Sequence, residues 1–217
     1  MFKSDSQSYV YTSRDKATLF NDFFCAQCNI DANNSHLPGD GTMPDVVLDS
    51  VIATEQEVED FVCSLDMSKA TGHDGITTRM LKNGGWAIIS SLTRLINFCL
   101  TSKTVPNSWK KANVIPIHKK DSKETCNNYR PISILPVVSK ILERIVFKHV
   151  YNFFHDHNLL TVHQSGFRQN DSTVNQLAYL YHIFCEALDI KKDIRIVFCD
   201  ISKAFDRVWH QGIIYKL

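Results

Sequence analysis

The stretch Arg195-Ile196-Val197-Phe198-Cys199-Asp200-Ile201-Ser202-Lys203-Ala204-Phe205-Asp206 decides how the chain is read. Together with Ile194, it opens as a short run of β-forming residues, Ile196, Val197 and Phe198, with no polar alternation. Such a run reads as a strand covered on both faces. It ends on a carboxylate, Asp200. A charge is not left unpaired in apolar surroundings, so Asp200 is expected at the strand's end or on a cation. Asp206 is read as the opening of a helix. A strand that carries one aspartate to the rim of a sheet is a frequent construction in metal-dependent phosphoryl-transfer sites. The plainer reading is that Asp200 ends a strand and caps the next turn. From this stretch alone both stand.

The 217 residues suffice for one large domain, and their hydrophobic and charged fractions are those of an ordinary folded protein. The net charge of +1 hides an asymmetry. Residues 1–66 carry Lys3, Arg14 and Lys16 against twelve acids, a net of −9. Residues 103–150 carry ten Lys and Arg against Asp121, Glu124 and Glu143, a net of +7. A basic block in a neutral chain points to a polyanionic partner for that block, or to a solvated surface whose charges balance across the fold. The seven cysteines are scattered and odd in number, which argues against a disulfide framework and for a reducing, intracellular compartment. The N-terminus lacks the apolar core of a signal peptide, and no apolar run is long enough to span a bilayer.

Working outward, residues 1–13 are polar and read as loose. A helix is expected from Ser13, with Ala17, Phe20, Phe24 and Cys28 on one stripe. Cys25, Cys28 and His36 hint at zinc, but no second Cys/His pair has a usual spacing. The two cysteines are therefore read as part of the buried helix face. Residues 31–50 are rich in Asp, Asn, Gly and Pro and read as a linker. Thr54 and Glu57 form a capping box ahead of Val58, Phe61, Val62 and Leu65 at helical spacing. Gly72 and Gly75 bracket a tight turn after Lys69, which could cradle a phosphate or be only a turn. Trp86, Ile89, Leu92, Ile96 and Leu100 mark a longer helix ending before Pro106. Val114–Ile117 and the segment from Tyr129 to Ile132 read as the arms of a hairpin, with His118–Lys123 as its basic tip; Pro116 demands an edge or a bulge. Arms bearing Lys and Arg can grip a triphosphate, or the lysines only solubilise an exposed hairpin. Pro136 opens an amphipathic helix with Val138, Ile141, Leu142, Ile145, His149 and Phe153 on one stripe and Lys140, Arg144 and Lys148 on another, facing a nucleic acid or water. A polar loop over 155–171 holds His155, His157 and His163, which lack a carboxylate or cysteine partner and read as surface residues. In Gln164–Arg168 an aromatic and a cation flank a flexible Gly, a candidate nucleic-acid contact. A last helix from Ser172 is expected to bury Val174, Leu177, Ala178, Tyr181, Cys185 and Leu188. The order of elements gives an α+β fold with helices packed on a small, mainly antiparallel sheet.

Five blocks, taken together and in this order, resemble the reverse transcriptases of non-LTR (LINE-type) retrotransposons. They are Lys69-Ala-Thr-Gly-His-Asp-Gly-Ile76, Val114-Ile-Pro-Ile-His-Lys-Lys120, Asn128-Tyr-Arg-Pro-Ile-Ser133, Gln164-Ser-Gly-Phe-Arg168 and Phe198-Cys-Asp-Ile-Ser-Lys-Ala-Phe-Asp206. The resemblance covers roughly residues 50–217. It implies an N-terminal extension and linker over 1–50 and a partial right-hand polymerase over 51–217, with fingers at about 70–190 and the start of the palm at 194–217. It implies RNA-directed DNA polymerase chemistry with two Mg²⁺ ions, an RNA template, a DNA primer and dNTPs. Asp200 matches the first metal-binding aspartate, with the Ile201 carbonyl beside it. Phe205 matches the aromatic under the incoming sugar, Arg130 the arginine on the triphosphate, and Lys119 or Lys120 the finger lysine. Gly166, Phe167 and Arg168 match a block near the template, and Asp206 is read as structural. The family's palm continues to a pair of adjacent aspartates, and no Tyr/Phe-x-Asp-Asp occurs in this sequence. Two-metal transfer needs several carboxylates. The chain alone is therefore expected to be inactive, to lack palm, thumb and endonuclease segments, and to expose an unpaired sheet edge that limits solubility. The alternative is a non-catalytic nucleic-acid-binding remnant of such an enzyme.

Overall fold

The computed structural model describes residues 2–3, 8–29 and 46–216. Most of the expected linker, and His36, lie outside these residues. The described chain forms two compact units, residues 1–150 with 204–217, and residues 151–203.

In the first unit, β1 (Phe2–Lys3) pairs antiparallel with β2 (Ser8–Tyr9), where a loose segment was expected. Helix α1 (Ser13–Cys28) starts where Thr12 Oγ1 accepts the Asp15 amide at 3.1 Å. It buries Phe20 and Phe24, but Cys25 and Cys28 are exposed, so the expected burial of the cysteines does not occur. Helix α2 (Glu55–Ser64) carries the expected capping box: Thr54 Oγ1 accepts the Glu57 amide at 3.2 Å, and Glu57 Oε2 accepts the Thr54 amide at 3.1 Å. A short helix not read from the sequence, α3 (Thr78–Gly84), is capped by Thr77. It is separated from α4 (Trp86–Ser102) by Gly85, whose φ of 48° is a conformation L-residues rarely adopt. Strands β3 (Asn113–His118) and β4 (Tyr129–Ile134) form a two-stranded antiparallel ribbon in which Pro116 faces Pro131. Neither proline can donate to a ladder, and a two-stranded sheet, all edge, accommodates both. Helix α5 (Val137–Asp156) follows at once; its residues up to Val150 belong to this unit.

One apolar core joins these helices. Val58 and Val62 from α2, Leu81 from α3, Ile89, Leu92 and Ile96 from α4, and Val137, Val138, Ile141, Leu142 and Ile145 from α5 bury together with Trp109. The four-residue spacings (58/62, 92/96, 137/141/145) put each set on one helical stripe. Gly72 closes the assembly. A Cβ there would sit 2.7 Å from the Pro136 nitrogen, so the 72–75 turn lies directly on the start of α5. The Gly75 amide donates to the Gly72 carbonyl at 3.3 Å. The Gly-x-x-Gly turn thus has a packing role that needs no bound phosphate.

In the second unit, the end of α5 leads through a loop to α6 (Thr173–Asp189), capped by Ser172. Here two expectations fail. No residue of α6 is buried, and Val174, Leu177, Tyr181 and Leu188, read as its core face, are exposed. The run 194–199 is not a strand, and Val197 and Phe198 are 83% and 87% exposed. Both have one cause. A strand needs a neighbour to satisfy its amides and carbonyls, and an amphipathic helix needs a second layer. Among the described residues of this unit neither is supplied. Asp206, expected at a helix start, lies in a turn over 202–207 and belongs to the first unit; helix α7 (His210–Lys216) begins four residues later.

Candidate nucleotide and nucleic-acid site

The β3–β4 ribbon carries the expected cations to one end. Ile117 faces Arg130 and His118 faces Tyr129. The Lys119 amide donates to the Asn128 carbonyl at 2.7 Å, continuing the same register one pair further. Residues two apart on a strand share a face, so Lys119 lies on the face of Arg130, while Lys120 stands in the bend that follows. The tip between them is fixed by its own hydrogen bonds. Asn128 Nδ2 donates to the Ser122 carbonyl at 2.8 Å and Tyr129 Oη to the Lys123 carbonyl at 2.9 Å. Asp121 takes a φ of 64°, and its carbonyl lies 3.1 Å from His118 Nε2. Lys119, Lys120, Lys123 and Arg130 are exposed and form no ion pair among the described residues. Four exposed cations that make no ion pair, on a pre-shaped tip that also carries Asp121 and Glu124, form a polyanion-binding arrangement.

The ribbon is braced from a side the sequence reading missed. Tyr129 meets Phe20 of α1 edge-on at 4.7 Å between ring centres, and His118 at 5.2 Å. Cys126, Phe20 and Phe24 bury together beneath it. The signal was present in the strong aromatic stripe of α1, but nothing in one sequence says which element that stripe covers.

The basic stripe of α5 does not form a nucleic-acid face as a whole. Lys148 Nζ lies 2.6 Å from Glu57 Oε1, and Arg144 Nη1 donates to Ser64 Oγ at 3.1 Å. Partial burial pushes the Glu57 carboxyl up, but the Lys148 and Thr54 hydrogen bonds and the charges of Lys148 and His149 outweigh it and hold the group at about 2. Lys148 and Arg144 of the stripe tie α5 to α2.

In the second unit, residues 164–168 form a pinned loop. Ser165 Oγ donates to Gln176 Oε1 at 2.6 Å, Gln164 Nε2 to the Gly166 carbonyl at 3.1 Å, and Arg168 Nη1 to the Thr161 carbonyl at 3.2 Å. Phe167, at φ 62°, is 87% exposed at the tip. Gly166 has open space where a Cβ would stand. His155, His157 and His163 are all exposed, as expected.

Asp200 and Ile201 lie exposed on the irregular segment after α6, and Phe205, in the first unit, is 82% exposed. No group of three His, Cys, Asp or Glu side chains able to hold a metal converges among the described residues. One exposed carboxylate does not fit a pair of divalent ions, which several carboxylates must clamp.

Comparison with known proteins gives this arrangement its context. Residues 117–217, from the end of β3 onward, match the family of reverse transcriptases (RNA-dependent DNA polymerases). The chain is 36% identical over 163 residues to a probable RNA-directed DNA polymerase from transposon BS of Drosophila melanogaster, covering 75% of this chain and 18% of that protein. The chain is thus similar to part of the reverse transcriptases of non-LTR retrotransposons. It is similarly related to the RNA-directed DNA polymerase from mobile element jockey of Drosophila melanogaster, at 33% identity over 75% of this chain and 18% of that protein. A third relative is the probable RNA-directed DNA polymerase from transposon X-element of the same species, at 34% identity over 74% of this chain and 18% of that protein. The chain thus spans about a fifth of the length of these relatives. No described helix is long and apolar enough to cross a membrane.

Proposed function

We propose that the chain supplies the fingers, over about residues 70–190, and the first palm segment, 194–217, of an RNA-directed DNA polymerase acting on an RNA template, a DNA primer and dNTPs. The observation that carries this is the β3–β4 tip, where Lys119 and Arg130 share one face without carboxylate partners, inside the segment that matches the reverse transcriptase family. Arg130 offers a bidentate fork to a triphosphate, and Lys119, rather than Lys120, stands beside it as a point charge. The exposed Phe167, with Gly166 and Arg168, is the template contact, where an aromatic face stacks on a base. Phe205 takes the position under the incoming sugar. In the intact polymerase Asp200, with the Ile201 carbonyl, would be one ligand of a Mg²⁺ pair that activates the attacking and leaving oxygens. The pair itself needs further carboxylates, and no Asp-Asp dipeptide occurs in the 217 residues. In the intact polymerase the exposed face of α6 and the 194–199 run are the surfaces on which further palm strands lie, which accounts for apolar side chains left in water.

Photo-crosslinking with an azido-dATP tests this reading. The adduct should map to residues 117–130 and be lost in Arg130→Ala, while the purified chain gives no primer extension. An adduct elsewhere that survives Arg130→Ala refutes the assignment of the tip. Primer extension on RNA by this chain, abolished by Asp200→Ala, refutes its inactivity alone. The second reading, a nucleic-acid-binding remnant, predicts RNA binding by the tip without any triphosphate crosslink.

A further inference from the structure

The first unit holds a cleft of about 400 Å³ that the polymerase reading leaves unused. It lies between the end of α2, the loop at 65–70, the start of α3 and one side of α5. Three cations line it: Lys69, Lys140 and Arg144. Two acids line it as well, and neither is within ion-pair distance of the two cations on α5. Asp66 is turned to its own loop, accepting from the Ser68 amide at 2.9 Å and the Ser68 hydroxyl at 2.7 Å, with Lys69 at 3.8 Å. Glu143 is exposed; partial burial pushes its carboxyl up and Lys140 pulls it down, and it makes no ion pair among the described residues. Among the described residues neither Lys140 nor Arg144 has a carboxylate within ion-pair distance. Arg144 uses one nitrogen on the Ser64 hydroxyl. Four residues apart on a helix, the two cations project from neighbouring positions on one side.

The shape narrows the ligand. The cleft falls within the size range of small-molecule sites and exceeds what a bare phosphate fills. Leu65 and Val137 give it apolar lining, and Phe147, 58% exposed, lines it one turn beyond Glu143. Cations, a hydroxyl and an aromatic ring around an apolar floor suit a phosphate joined to a flat base.

We propose that this cleft binds one nucleoside phosphate unit, its phosphate on Lys140 and Arg144 with Lys69 beside them, and its base against Phe147. The unit can come from a free nucleotide or from a nucleic-acid strand. The site shares no residue with the β3–β4 tip, Phe167 or Asp200, so it stands or falls apart from the polymerase reading.

The test uses the full chain carrying Lys119→Ala, Lys120→Ala, Lys123→Ala and Arg130→Ala, which removes the tip as a binding surface. Binding of UMP, a ten-residue oligouridylate and inorganic phosphate is measured by titration calorimetry. UMP or the oligouridylate should bind; binding of UMP assigns the free nucleotide as a source, and binding of the oligomer alone assigns the strand. Lys140→Glu should weaken that binding by about tenfold, as expected where a phosphate contact becomes a repulsion. Phe147→Ala should weaken it about fivefold, in keeping with the loss of one stacking contact, without affecting inorganic phosphate. Lys140→Gln serves if the reversed charge unfolds the chain. Unchanged affinity in a folded Lys140→Gln or Lys140→Glu chain overturns the proposal. So does loss of all binding with the tip substitutions, or inorganic phosphate binding as tightly as UMP.

Discussion

Replacing Glu57 should cost the first unit more than any other single surface carboxylate, and the cost should disappear in acid. Its side chain is 14% exposed and performs two tasks. It closes the capping box on the Thr54 amide at 3.1 Å and receives Lys148 Nζ at 2.6 Å, joining α2 to α5. Glu57→Gln keeps an oxygen that accepts from the Thr54 amide, so this hydrogen bond only loses its charge assistance, about 0.5 kcal/mol. The ion pair, with Lys148 half-exposed, is worth about 1 kcal/mol. The carboxyl's displacement from 4.5 to about 2 sets a ceiling, since about 1.36 kcal/mol per pH unit gives about 3.4 kcal/mol before solvent screening is allowed for. About 1–1.5 kcal/mol for Glu57→Gln at pH 7 satisfies both routes. The sign follows from the direction of the displacement. The folded state binds the proton less tightly than the unfolded chain, so the stabilisation is complete above about 4.5 and is lost as pH falls towards 2. Urea unfolding followed by tryptophan emission reports on this unit, because Trp86, Trp109 and Trp209 all belong to it. The stability gap between the unsubstituted chain and Glu57→Gln should narrow steadily from pH 5 to pH 3. A gap below about 0.3 kcal/mol at pH 7, or one that does not change with pH, refutes the reasoning.

Other perturbations test other parts of the argument. Gly72→Ala places a Cβ 2.7 Å from the Pro136 nitrogen, backbone that cannot step aside, and should destabilise the first unit by about 1–3 kcal/mol in the same urea assay. Phe20→Ala removes the ring under Tyr129 and should speed amide exchange across residues 119–128 while leaving α4 unchanged. In RNA binding measured across salt, Lys119→Ala should lower the slope of log affinity against log salt by about 0.7, with a smaller change for Lys120→Ala. Equal effects would contradict the face assignment.

The first unit was legible because its signals are local. The Thr54 and Glu57 capping box, the stripes at 58/62 and 137/141/145, and the basic tip between two β runs each lie within a few residues of chain, and the structure reproduces them. What the sequence did not disclose depends on partners distant in the chain. The α1 aromatics gave no hint that they brace Tyr129, and the α5 cations gave no hint that Lys148 belongs to Glu57. The misreadings in the second unit have the same origin with the opposite outcome. Val174, Leu177, Tyr181 and Leu188 do fall on one stripe of α6, and Ile194–Phe198 has β-forming composition, but neither is buried and no strand forms: a pattern states what a segment would bury, not that a cover is present. The candidate site divides along the same line. The basic hairpin is local and is formed, whereas a metal centre needs carboxylates from several segments, and no such group converges among the described residues.

That contrast yields a prediction about how the two units fail. Residues 191–201 are exposed throughout and make no strand pairing, and among the described residues their backbone is tied only near the end of α6, where the Lys192 amide donates to the Ala187 carbonyl at 2.8 Å. Cleavage by a protease requires several residues of backbone to leave the fold, and the free energy of that opening is small where few bonds and no burial oppose it. Trypsin should therefore cut after Lys191, Lys192 or Arg195 well before Lys140 or Arg144, whose helix carries the buried Ile141 and Ile145. Triton-type detergent below its critical concentration, or a polypeptide that lays a strand against residues 194–199, should slow the early cuts by covering Val197 and Phe198. Cleavage at Lys140 or Arg144 as early as at Arg195 would mean that the packed helices of the first unit open as readily as the unpaired segment. That result would refute the assignment of the chain's stability to the core around Ile96, Ile141 and Ile145.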